Sequence, residues 1–118
     1  MPIDFAESEI TTIQNAVDTR WKKDKKKVHL ADIEITRTAK DEKTTLCPAA
    51  VWETADCTFV VIKVDEFVYK SVFYYLGTKQ IDTGISEYND LSDCVLTLMK
   101  VQANFMLSNS SSINVENT

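Results

Sequence analysis

A chain of 118 residues has room for one domain core, and its net charge of −5 makes a surface that on average repels phosphate backbones. An apolar share of 44% with 26% charged residues is that of a folded globular protein, which excludes a disordered or collagen-like chain. Two glycines and two prolines argue against glycine-rich phosphate loops and proline-rich ligand segments.

Val and Ile together number 20 against 7 Leu, with 13 Thr besides, so β-branched residues dominate and sheet is favoured over helix bundle. The N-terminal residues carry Asp4 and Glu7 and no apolar stretch of signal-peptide type, and no run approaches a membrane span. A cytoplasmic address is the expectation.

Residues 4–23 are expected to form an amphipathic helix. Asp4 and Glu7 form an Asp-x-x-Glu start signal, and Ile10, Ile13, Val17 and Trp21 recur on one face. Phe5 and Ala6 extend that face, and Arg20, Lys22 and Lys23 at the far end suit the helix dipole. Residues 27–37 read as a strand whose apolar phase switches near Ala31 and Asp32, implying a bulge or two half-buried faces.

A polar loop over 38–43 leads to a second strand within 44–53, where Pro48 demands an edge, a bulge or a late start at Ala49. Residues 57–64 (CTFVVIKV) are nearly continuously apolar, as a central strand covered on both faces would be. Residues 67–76 carry the β-branched and aromatic residues of a strand. Asp65 before them and Gly77 after them also fit helix boundaries, and strand is the preferred reading.

A short strand is expected around Ile81, and Asn89, Asp90 and Asp93 open a second helix with Leu91, Cys94, Val95, Leu98, Gln102 and Phe105 on its face. Leu96, Met99, Ala103 and Met106 widen its apolar sector, which suggests burial on two sides and an oligomer interface. Residues 108–118 read as a disordered polar tail on a single α+β domain spanning 1–107.

The fold expected is therefore α+β: an N-terminal helix, an antiparallel meander of three to five strands, and a C-terminal helix packed on the sheet. The same helix, strands, helix order occurs in double-stranded RNA-binding domains, too commonly to count as a resemblance. Such domains grip phosphates with basic residues where their last helix begins, whereas this stretch carries Asp82, Glu87, Asp90 and Asp93. Nucleic acid is not an expected partner.

Two groups of residues are candidate binding surfaces. Residues 20–27 hold six basic residues in eight positions, making Lys22, Lys23, Lys25, Lys26 and Lys27 a partner- or anion-binding candidate with Trp21 as a platform. A solvated helix end explains the same charges. Trp52, Phe59, Tyr69, Phe73 and Tyr75 are candidates for an interface or a ligand pocket, with core as the plainer alternative.

No catalytic, cofactor or metal site is expected. His29 is the single histidine and reads as a packed or hydrogen-bonded strand residue. Cys47, Cys57 and Cys94 fit no zinc spacing and read as reduced and buried, although Cys47 and Cys57 flank a hairpin and invite the idea that they face each other. With both helices on one side, the opposite sheet face would be partly bare, which points to a homodimer or another protein partner. The functional expectation is a non-enzymatic, acidic, cytosolic protein-interaction module of adaptor, inhibitor or chaperone type, acting on a more basic partner. The alternative is a small-molecule-binding protein or enzyme with an apolar pocket between sheet and helix.

Overall fold

The computed structural model of the chain describes residues 4–23, 26–35, 44–77 and 79–116, the last eight by their backbone path alone. Helix α1 spans Glu7–Arg20, less than the 4–23 expected. Its start is set by Glu9, whose carboxylate accepts the Ala6 N–H at 2.7 Å while the Ala6 carbonyl accepts the first helical N–H groups. Asp4 instead accepts the Phe5 N–H at 2.8 Å, and the Phe5 ring is buried just ahead of the helix. Ile13 and Val17 are fully buried, with Ile10, Ala16 and Trp21 packed at the margin, as the apolar spacing requires.

Five strands follow as an antiparallel meander in sequential order: β1 (His29–Ile35), β2 (Thr45–Glu53), β3 (Cys57–Asp65), β4 (Val68–Tyr75) and β5 (Lys79–Asp82). The β1–β2 ladder runs without a shift from His29↔Val51 to Ile35↔Thr45, so the change of apolar phase in β1 is not a bulge. It reflects two faces: Val28, just before the strand, packs on the helix-side core, while Ile33 and Ile35 pack on the other side. Pro48 lies within β2, opposite Asp32, and the β2–β3 ladder stops at Ala49↔Ile62. A residue without an N–H is tolerated where its strand has lost one of its two partners.

β3 is the central strand, flanked by β2 and β4, and is buried along almost its whole length. Residues 68–75 are strand, not helix, joined to β3 by the two-residue turn Glu66–Phe67. Glu-Phe is not among the pairs that favour such a turn. The ladder absorbs the misfit through a shift between Lys63 and Asp65 and through Phe67 at φ 57°. At the opposite end of the sheet Leu76 also takes positive φ, and its N–H donates to the Asp56 carbonyl at 2.7 Å, tying two turns together.

Helix α2 spans Leu91–Glu116. Asp90, rather than Asn89, caps it: its carboxylate accepts the Asp93 N–H at 3.4 Å and its carbonyl the Cys94 N–H at 3.1 Å. Of residues 108–118, whose sequence reads as a polar tail, the backbone of 108–116 forms the last part of α2 and residues 117–118 lie outside the described residues.

Both helices lie on one side of the sheet. Their buried residues, including Leu91, Cys94, Val95 and Leu98, form one cluster with Trp52, Phe59, Val61, Tyr69 and Phe73. The other sheet face holds a second cluster of Cys47, Ala49, Val60, Ile62, Val64 and Val72, which no described helical residue joins. That face is apolar as expected but not bare. Ile33, Ile35, Val51, Val68 and Tyr74 pack against these small side chains, and the six are only 0–8% exposed.

Phe67 is 66% exposed and held in the left-handed region, which costs an L-residue about 1–2 kcal/mol. Phe67→Gly is expected to raise the thermal midpoint by a few degrees, equivalent to about 1 kcal/mol. Differential scanning calorimetry reads this directly, and an unchanged or lowered midpoint would contradict the strain assigned to the turn.

Candidate functional site: the groove between the helices

The aromatic candidates all point into the helix-covered core. Trp52, Phe59 and Phe73 are fully buried, Tyr69 is nearly so, and Tyr75 is half-buried against Phe105. Trp52 lies parallel to Phe59 at 5.2 Å between ring centroids, Trp21 meets Phe59 edge-on at 5.4 Å, and Phe73 packs on Phe59 at 6.0 Å. These rings fill the space between sheet and helices in which a ligand pocket was envisaged. Strand alternation puts Phe59, Phe73 and Tyr75 on one face, and the helices settle on that face because it offers the larger apolar area.

The basic segment is anchored rather than free-standing. Gln14 on α1 donates from Nε2 to the Lys26 carbonyl at 3.0 Å and accepts the Val28 N–H through Oε1 at 3.1 Å. Lys22, Lys23 and Lys27 are exposed, Lys26 is half-buried, and Lys25 lies outside the described residues. His29 begins β1 exposed, not packed as expected, because β1 is an edge strand.

Where α1 lies against α2, the side chains Asn15, Ala16, Thr19 and Arg20 face Leu96, Met99 and Lys100 across a groove of about 460 Å³. Arg20 joins the two helices: Nη1 donates to the Met99 carbonyl at 3.0 Å and Nη2 to Gln102 Oε1 at 2.7 Å, while the guanidinium lies 5.2 Å from the Trp21 ring. Gln102 in turn donates to the Cys57 sulfur at 3.4 Å, so the bond chain runs from α1 through α2 into the sheet. Leu96 on the groove is 58% exposed although it belongs to the wide apolar sector of α2. Met99 on the same helix is buried beneath α1, which explains why that sector is wider than one sheet needs.

A second groove of about 390 Å³, beside β5, is bordered by Lys70, Gln80, Asp82 and Ile85. Its one cation and one carboxylate offset each other, so it carries no net charge with which to select a ligand.

One buried polar cluster had no place in the sequence reading. Lys63 Nζ donates to Glu9 Oε1 at 2.6 Å and to the Asp4 carbonyl at 2.9 Å, and the Tyr69 hydroxyl donates to Glu9 Oε2. Parity offered the clue: Lys63 alternates with Phe59 and Val61 and therefore points to the helix side. Burial alone would raise the pKa of Glu9, but the hydrogen bonds from Lys63, Tyr69 and the Ala6 N–H, together with the Lys63 charge, outweigh it and hold the carboxyl below its ordinary 4.5. Burial first, and then the Glu9 carboxylate, push the Tyr69 phenol well above its ordinary value. This is a lock holding the start of α1 on β3 and β4.

Because the Glu9 pKa is depressed by folding, its stabilisation is fully present above about pH 4.5 and is lost as pH falls through the folded value. Urea titrations should therefore show a gap between wild type and Glu9→Gln at pH 7 that closes toward pH 3. Lys63→Met, which strands Glu9, should cost about 3 kcal/mol at pH 7. A gap independent of pH would contradict the lock.

The three cysteines are free and buried, as expected. Cys47 and Cys57 do not face each other, since Cys47 belongs to the outer cluster and Cys57 to the helix-side core. Burial pushes the Cys94 thiol up to about 12, with the Ser71 hydroxyl opposing the shift. Labelling with a thiol reagent at pH 8 should accordingly be slow in the native chain and complete on unfolding; fast native labelling at Cys94 would contradict its placement.

Among the described residues no group of three or more His, Cys, Asp or Glu is placed to hold a metal, and no helix is long and apolar enough to cross a membrane. No family model, curated protein or solved structure matches the chain.

Proposed function

We propose that the protein is a non-enzymatic protein-interaction module that seats a partner protein in the groove between α1 and α2. The observation that carries this reading is Leu96, a large apolar side chain 58% exposed in a concave site whose floor is Ala16 and Met99. An apolar residue at the rim of a groove between two packed helices is what an added helix or loop would cover. The three reduced, buried cysteines suit a reducing compartment, in keeping with a cytoplasmic address. The alternative of a ligand pocket between sheet and helices draws no support from a space filled by Trp52, Phe59 and Phe73. Nor does the groove lining pair a nucleophile with a base.

A photo-crosslinking amino acid at position 96, with position 34 on exposed β1 as control, tests the reading in extracts of the native host. A protein that crosslinks from 96 and not from 34 should, once purified, bind wild type at least tenfold tighter than Leu96→Glu. Leu96 is exposed, so this variant should keep the wild-type circular dichroism and thermal midpoint. Equal crosslinking from both positions, or equal affinity for both proteins, would overturn the proposal.

A further inference from the structure

The charges at the groove have one sign. Of its lining residues only Arg20 and Lys100 are ionisable, and both are exposed cations. The chain leaving α1 carries exposed Lys22 and Lys23 after Trp21, outside the lining itself. This occurs on a protein of net charge −5, so the groove is a local reversal of the overall field. Arg20 is also held in place, since its bonds to Met99 and Gln102 use two of the five guanidinium donors.

The apolar part has helical spacing. Leu96 and Leu107 are both exposed and stand eleven residues apart, three turns of α2, so they share one side of the helix with Lys100 and Ala103 between them. The stripe is about 16 Å long. Across from its Leu96–Lys100 part α1 presents Asn15, Ala16 and Thr19, short side chains without charge, and Leu107 lies beyond the lining of the groove. The Thr19 hydroxyl is already turned back onto the Asn15 carbonyl at 2.8 Å. A low, neutral wall on one side and a leucine stripe with a central cation on the other match the dimensions of a third helix.

We infer that the groove binds an amphipathic α-helix of a partner protein, its apolar residues spaced i, i+3 or i+4, i+7 and i+11 and flanked by Asp or Glu that meet Lys100, Arg20 and the Lys22–Lys23 pair. The inference rests on the interaction-module reading and specifies its partner. It also reverses the sign expected from composition, where an acidic chain was matched to a basic partner. A membrane surface is less suited, because the apolar side chains line a concavity between two helices instead of projecting from a convex face.

The test uses the full chain and a displayed library of 16-residue peptides with fixed helical apolar spacing and randomised flanks. Peptides selected on wild type should be enriched in Asp and Glu at the flanks. They should lose at least tenfold in affinity against Leu96→Glu and against Lys100→Glu, and weaken as salt rises. Arg20 is left intact because it holds the two helices together.

Absence of enrichment, enrichment without acidic bias, or affinity retained by Leu96→Glu would overturn the inference. So would binding to phosphatidylglycerol vesicles that Leu96→Glu abolishes, or a dimer in sedimentation that the same variant dissolves, since each names a different occupant. If position 96 crosslinks a partner that binds through a loop or sheet, the interaction-module reading stands and the helix inference alone falls.

Discussion

The Phe59 ring is where every layer of the molecule meets. It stacks on Trp52 from β2, takes the edge of Trp21 from the end of α1, and touches Phe73 from β4, which carries the contact on to Phe105 of α2. Aromatic pairs of this kind add about 0.5–1.5 kcal/mol each beyond the area they bury. Their geometry matters as much as their energy, since α1 and α2 can both lie on the sheet only if the rings beneath them pack in one arrangement. The Trp52 indole nitrogen finds no hydrogen-bond partner among the described residues, a penalty accepted for the stack.

Two side chains then set the angle between the helices. Glu9, held by Lys63 and Tyr69, fixes where α1 begins, and Arg20, held by Met99 and Gln102, fixes where it ends. With both ends pinned, Met99 goes under α1 while Leu96, three residues earlier, is left at the edge of the contact. The groove is thus a by-product of where the two polar anchors hold the helix.

Local pattern carried most of the fold. Helical spacing placed α1 and α2, the unbroken apolar run of 57–64 marked the central strand, and β-branched and aromatic content placed 68–75 in the sheet. The readings that differ from the structure depend on partners distant in the chain. Asp4 looked like a cap because it precedes the helix, but Lys63, 54 residues from Glu9, makes Glu9 the residue that defines the start. The phase change in β1 left a bulge and two half-buried faces both open, because the sequence does not say that Val28 reaches a core built by other elements. The aromatics could equally be core or interface until the side occupied by the helices was known. The groove was the least legible of all: its cations belonged to a recognisable basic run, whereas its floor is assembled from α1 and α2, joined by a hydrogen bond spanning 79 residues.

That span has a consequence for how occupancy and folding are linked. The meander is built from neighbours in sequence and can form from local hairpins, whereas the α1–α2 contact joins two elements that lie about 80 residues apart in the chain. Any opening that lifts α1 destroys the groove, so an occupant binds only the closed form. At a hundred times its dissociation constant such an occupant would stabilise that form by about 2.7 kcal/mol. An occupant of the proposed groove would therefore act as a tension gauge on the tertiary closure: it would bind only while the two ends of the fold are together, and by binding would keep them so.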